Sequence, residues 1–166
     1  MLALGIDPGT AITGYGFVRE LADGGLDVTA FGVIETPVRL SSEKRLLLLY
    51  DELKKLIFLH RPECCAVEKL FFSRNVTTAL AVGQARGVVL LSAVQAGLRV
   101  AEYAPLEVKQ AVVGYGGADK KQVQQMVRAL LGLADIPKPD DAADALAVAI
   151  CHLHRNRLDS LGRDKI

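Results

Sequence analysis

Short apolar runs closed by turn residues alternate along this chain with longer stretches of helical period. The apolar run 2–6 stops at Asp7-Pro8-Gly9, so residues 2–7 read as a buried strand. Residues 13–19 and 27–35 form two more strand patterns around the turn Asp23-Gly24-Gly25. Ser41 or Ser42 suits the cap of a helix over 43–60, whose Leu46, Leu49, Leu53, Leu56 and Ile57 share one face. Arg61-Pro62 ends it, and the apolar run 64–68 predicts a fourth strand. A long helix is expected over 77–95, a fifth strand over 98–103, and further helices over 105–113, 119–133 and 140–154.

Three meandering strands followed by strands reached through helices predict an α/β fold. Its order resembles the ribonuclease-H-like arrangement, a mixed five-stranded sheet flanked by helices. With 166 residues and no repeats or linkers, a single domain over 1–156 is expected, with a polar tail over 157–166. The apolar stretch 79–101 is long enough to raise a membrane question, but Gln84, Arg86 and Gln95 interrupt it, so a buried helix of a soluble protein is expected. The first residues enter a strand without a basic leader, so no signal peptide is expected. Cys64, Cys65 and Cys151 offer neither a disulfide framework nor a zinc motif, which suits a reducing compartment.

Composition adds little until charge is placed along the chain. Net charge is only +1, yet residues 69–101 carry Lys69, Arg74, Arg86 and Arg99 and no acid. Lys109, Lys120, Lys121 and Arg128 follow. Such a distribution suits a polyanion as partner, although an ordinary solvated surface has similar charges.

Four acids change the picture. Asp7 ends the first strand and Glu68 the fourth; Asp141 and Asp144 lie three apart at the start of the last helix. Singly, each has an ordinary explanation: a turn opener, a strand end, or acids complementing a helix dipole. Jointly, they are candidates for one site. Like charges gathered at one point need a cation, and hard oxygen ligands suit Mg²⁺. A pair of such ions activates water and stabilises the leaving oxygen of a phosphodiester. Phe71 and Phe72, beside Lys69, Arg74 and Asn75, offer either core packing or a face for base stacking. Ala79, Gly83 and Gly87 recur at spacing four and permit close helix approach. His152 and His154 are two apart on a helix and make a poor metal pair.

Gly5-Ile-Asp-Pro-Gly9 with Thr13-Gly-Tyr-Gly16 resembles the start of RuvC-family Holliday junction resolvases. The resemblance continues through Ala66-Val-Glu68, Gly83-Gln-Ala-Arg-Gly87, Val108-Lys-Gln110, Val112-Val-Gly114, Gln122-Val-Gln124 and Asp141-Ala-Ala-Asp-Ala-Leu-Ala147. It implies a crossover junction endodeoxyribonuclease, in which Asp7, Glu68, Asp141 and Asp144 hold Mg²⁺, two ions per site, with Mn²⁺ as a possible substitute. It also implies DNA contacts from Phe71, Arg74, Lys109, Lys120 and Lys121. A homodimer joined near Ala79, Gly83 and Gly87, action on four-way junction DNA, a RuvA–RuvB branch-migration partnership and a bacterial cytoplasmic, nucleoid-associated location complete the expectation.

Two other classes remain open from the residues alone. Sugar-kinase and actin-like ATPases also carry Asp-x-Gly-Thr, as in Asp7-Pro-Gly-Thr10, but need two domains, for which the chain is too short. A non-catalytic nucleic-acid module would not need the complete acid set.

Overall fold

The computed structural model describes residues 1–69 and 76–163, with side chains omitted at 76–78 and 160–163. Phe71, Phe72 and Arg74 lie outside the described residues. Strands β1 (Leu2–Asp7), β2 (Ile12–Glu20) and β3 (Leu26–Glu35) form an antiparallel meander. Helix α1 (Ser42–His60) leads to β4 (Cys64–Glu68), and α2 (Val76–Gln95) leads to β5 (Arg99–Tyr103). β4 is parallel to both β1 and β5, giving the sheet order β3-β2-β1-β4-β5. Helices α3 (Pro105–Val113), α4 (Lys120–Leu130) and α5 (Asp140–Arg163) complete the chain.

Side-chain alternation divides the sheet into two faces. Leu4, Ile6, Phe17, Cys65 and Val67 pack under α1 and α2, through Leu49, Leu53, Ile57, Ala85 and Val89. Ala3, Val18, Cys64 and Ala66 face the other way, towards α5 and its Leu146 and Ile150. Asp7 and Glu68 continue the second series, so both fall on the α5 side. β1 and β4 are in register from Ala3↔Cys64 to Ile6↔Val67, which leaves the two acids as neighbours one step further on.

Helix α5 lies unusually close to β1 and β2. A Cβ on Gly5 would stand 2.1 Å from the Ala145 carbonyl oxygen, and one on Gly14 would stand 1.9 Å from that of Asp141. Only glycine leaves room there. The alanines of α5 at 142, 143, 145, 147 and 149 are fully buried and keep the helix side of this contact thin.

Several element ends differ from the sequence reading. α5 continues to Arg163 instead of stopping near His154, into the segment expected to be a polar tail. Its polar residues have partners. Asn156 Nδ2 lies 3.0 Å from His152 Nε2, and Arg157 Nη1 donates to the Gly24 carbonyl at 3.1 Å. α4 begins after Asp119, whose carboxylate accepts from the Gln122 N–H, and the chain turns at Gly132 in the left-handed region. Ser41 is the N-cap of α1, but its hydroxyl turns to Glu43 rather than capping the backbone. No helix among the described residues is long and apolar enough to cross a membrane; the apolar stretch 79–101 is divided between α2 and β5.

Replacing Gly14 by Ala is expected to cost about 2 kcal/mol or more in unfolding free energy, because backbone must move to admit one methyl group. Gly83→Ala, where a Cβ meets nothing within 4 Å, is expected to hold or raise the stability of a single subunit. Denaturant melts of both variants check this; a Gly14→Ala midpoint equal to wild type would contradict the seating of α5.

Candidate active site

The four acids meet at the carboxyl ends of β1 and β4, under the first turn of α5. Asp7 and Glu68 arrive by strand alternation on adjacent parallel strands. Asp141 and Asp144 sit three residues apart on one helical face, carried there by the close approach at Gly14. All four are partly buried.

Their electrostatics show strong mutual interference. Burial first, then the charges of Glu68, Asp144 and Asp141, push the Asp7 carboxyl up to about 8. Asp7 and Glu68 share a hydrogen bond, and the pair holds on to its proton well above the usual carboxylate range. Burial also raises Glu68, reinforced by Asp144. Asp144 is raised by burial, although Lys120 pulls against this.

The basic residues separate into two groups. Lys109 on α3 and Lys120 on α4 line a cleft of about 260 Å³ together with Glu68 and Asp144. Lys121 is exposed on α4 and is not part of that lining. Lys120 Nζ lies 2.9 Å from Asp144 Oδ2 and 3.4 Å from Asp140 Oδ2. The lysine that sequence assigned to DNA phosphate thus rests on an acid of the cluster. A larger groove of about 610 Å³ lies elsewhere, between α1 and α2, and its lining contains no acid.

Sequence reasoning passed over Asp140 and Gln124. Gln124 Nε2 donates to Asp140 Oδ1 at 3.0 Å, and this bond, with Lys120, holds the Asp140 carboxyl below its usual range. The available signal was a pair of one-turn spacings, Lys120 to Gln124 and Asp140 to Asp144, on two helices that meet. Arg45 was also missed. Its Nε donates to Thr36 Oγ1 at 2.9 Å and its Nη2 to the Thr10 carbonyl at 2.9 Å, tying α1 to the turn after Asp7.

The donor set fits a hard divalent cation: every candidate ligand is a carboxylate, and among the described residues no ion pair reaches Asp7 or Glu68. The acids are not a finished cage. Among the described residues no three acidic, histidine or cysteine groups stand ready-made around one ion position. The histidines take structural roles instead: His60 stacks on Phe17, and the ring of His152 bonds to Tyr103 at 2.8 Å.

A mixed five-stranded sheet with acids at the ends of its first and fourth strands and on its last helix defines the ribonuclease-H-like class of nuclease. The family description "Crossover junction endodeoxyribonuclease RuvC" matches residues 3–152. A protein of that name from Syntrophomonas wolfei is 56% identical over 160 residues, covering 96% of this chain and 92% of the relative. One from Desulfitobacterium hafniense is 59% identical over 163 residues, covering 98% of each. Thermus thermophilus RuvC, solved in complex with Holliday junction substrate, superposes with a TM-score of 0.87 at 35% identity, covering 95% of this chain and 96% of that one. The yeast mitochondrial Holliday junction resolvase Ydc2, with a TM-score of 0.71 and 13% identity over 98% of this chain and 83% of its own, shares the fold. The chain belongs to the crossover junction endodeoxyribonuclease RuvC family.

The raised carboxyls predict a pH dependence of stability. The folded protein holds the Asp7 proton up to about pH 8, whereas an unfolded Asp releases it near 3.8. Between those values the folded state binds more protons, so metal-free stability falls as pH rises through the window and levels off above it. Asp7→Asn removes this slope. At pH 8 without divalent ions it is expected to melt several degrees above wild type, with the gap closing towards pH 4. A wild-type melting midpoint that rises across this range, or no gap at pH 8, would contradict the assignment.

Proposed function

We propose that this nuclease resolves four-way DNA junctions by paired, metal-dependent hydrolysis of one phosphodiester in each of two strands of like polarity. The observation that carries the reading is the meeting of Asp7, Glu68, Asp141 and Asp144 at one end of the sheet, in a chain of this family.

Asp7, Glu68, Asp141 and Asp144 would hold Mg²⁺, two ions per site, with Mn²⁺ accepted in its place. When bound, such ions activate the attacking water and offset charge on the departing 3′ oxygen. The chain's own residues do the rest. Asp7 and Glu68, joined by a hydrogen bond at the strand ends, would supply the sheet side of the site, and Asp141 and Asp144 the helix side. Lys109 and Lys120, on the wall of the same cleft, hold the phosphates on either side of the scissile bond without reading sequence. Lys121, exposed on α4, adds to the basic surface, and the family resemblance makes Arg74 a further DNA contact. Phe71, three residues after Glu68, stacks on a base at the crossover. On this account the enzyme acts in the bacterial cytoplasm, at the nucleoid, beside the RuvA–RuvB branch-migration complex.

Paired nicking requires two sites, hence a homodimer. The outward face of α2 supports one. Leu80, Leu91 and Val94 are 66%, 53% and 63% exposed and share a face with the open positions Gly83 and Gly87. Ala79 sits half-buried at its margin. An exposed apolar stripe of this kind fits a second copy better than solvent.

Single changes of Asp7, Glu68, Asp141 or Asp144 to Asn or Gln are expected to slow junction nicking by about 10²–10³-fold or more, a loss of the size seen when one stabilising group leaves an active site. Junction affinity should hold, because the lysines remain. A gel assay on a synthetic mobile junction, with and without Mg²⁺, checks both; near-normal nicking by Asp7→Asn would overturn the metal site. The dimer carries its own test. Light scattering at micromolar concentration should give twice the chain mass for wild type and a larger monomer fraction for Gly83→Leu. A wild-type monomer would refute the interface.

A further inference from the structure

The acid cluster is bordered by a carboxylate that has no place in the reading above. Asp140 opens α5 and lies one helical turn before Asp144, so both project to the same side. Asp144 lines the cleft beside Glu68; Asp140 does not. The Asp144 side chain is 29% exposed and that of Asp140 63%. Lys120 spans the two, at 2.9 Å from the less exposed acid and 3.4 Å from the more exposed one. Gln124, one turn beyond Lys120 on α4, fixes Asp140 Oδ1 and leaves Oδ2 turned to the lysine.

We propose that Asp140 is a positioning residue: it takes the Lys120 ammonium over from Asp144 when a divalent cation enters, converting the lysine from a plug on a metal ligand into a group held at the rim for phosphate. This inference rests on the metal-site reading above. A cation on Asp144 and an ammonium on the same carboxylate repel each other at such short range. The four-carbon stem of lysine is flexible, and the nearest other acid is already within reach. Ion pairs between exposed groups are weak, so the exchange is cheap and reversible. Without Asp140, the ammonium has no second anchor. It stays on Asp144 and competes with the metal.

The test is a double-variant cycle on Mn²⁺ binding to the DNA-free protein, read from the spectroscopic signal of free Mn²⁺. Lys120→Met is expected to bind Mn²⁺ about threefold more tightly, and Asp140→Asn about threefold more weakly, changes of the size a partly exposed pair supports. In the Lys120→Met background, Asp140→Asn should change nothing, since Asp140 acts through the lysine. Asn keeps an oxygen for Gln124, so the local fold is retained. Lys109→Met, which removes a cleft lysine without an ion pair to Asp144, should tighten binding less. At saturating Mn²⁺, Asp140→Asn should also slow single-turnover nicking severalfold with junction affinity unchanged, and Asp140→Glu should restore it.

Equal weakening by Asp140→Asn in both backgrounds would reduce Asp140 to a distant charge and overturn the proposal. So would equal gains from the Lys109 and Lys120 variants, or no gain from Lys120→Met. Mn²⁺ binding that is absent in wild type, or unaffected by Asp7→Asn, would instead bring down the metal site itself.

Discussion

The seating of α5 on β1 and β2 is the contact on which the rest of the structure depends. At Gly14 the sheet backbone and the Asp141 carbonyl approach so closely that no side chain fits between them. The alanines of α5 make the same allowance from the helix side. This geometry has one functional consequence: it sets Asp141 and Asp144 over the ends of β1 and β4, where Asp7 and Glu68 already point. A helix standing off by the thickness of one methyl layer would leave two pairs of acids in place of one site.

The same contact creates a local conflict. Four carboxyls share a partly buried space, and Asp7 retains its proton far above the usual carboxylate range. Burial without full pairing costs stability that apolar packing elsewhere in the sheet must offset. Leu4, Ile6, Phe17 and Val67 on the opposite face, all but fully buried, contribute about 1.5–3 kcal/mol for each large side chain. Lys120 relieves part of the conflict at Asp144, and a proton relieves part of it at Asp7. Both are the kind of occupant a divalent cation replaces, so the tension in the resting protein and its readiness for metal have one origin.

The sheet was legible in the sequence because β1 and β4 are short apolar runs and a turn at Asp23-Gly24-Gly25 separates β2 from β3, and period two fixes which face each acid takes. Asp7 and Glu68 follow from that rule directly. Asp141 and Asp144 were legible as a helical pair, but their meeting with the strands depends on Gly5 and Gly14, whose missing side chains matter only where α5 lies against them. The far end of α5 was misjudged because the polar residues after His154 look solvated. The partners of Asn156 and Arg157, His152 and the Gly24 carbonyl, come from another turn of the helix and from the β2–β3 turn. Lys120 was given to DNA by the family resemblance; its contacts with Asp140 and Asp144 arise where α4 meets α5, a juxtaposition that local pattern does not encode. Arg45 was invisible for the same reason, since its acceptors lie 9 and 35 residues away.

A cation site where α5 brings its acids to the ends of β1 and β4 would be visible directly. Crystals of the protein soaked in Mn²⁺, measured for anomalous scattering, test it most directly. An anomalous peak bounded by the carboxylates of Asp7, Glu68, Asp141 and Asp144, lost in Asp7→Asn, is the expected result. A peak elsewhere on the molecule, or no peak from protein that still nicks junctions with Mn²⁺, would contradict it.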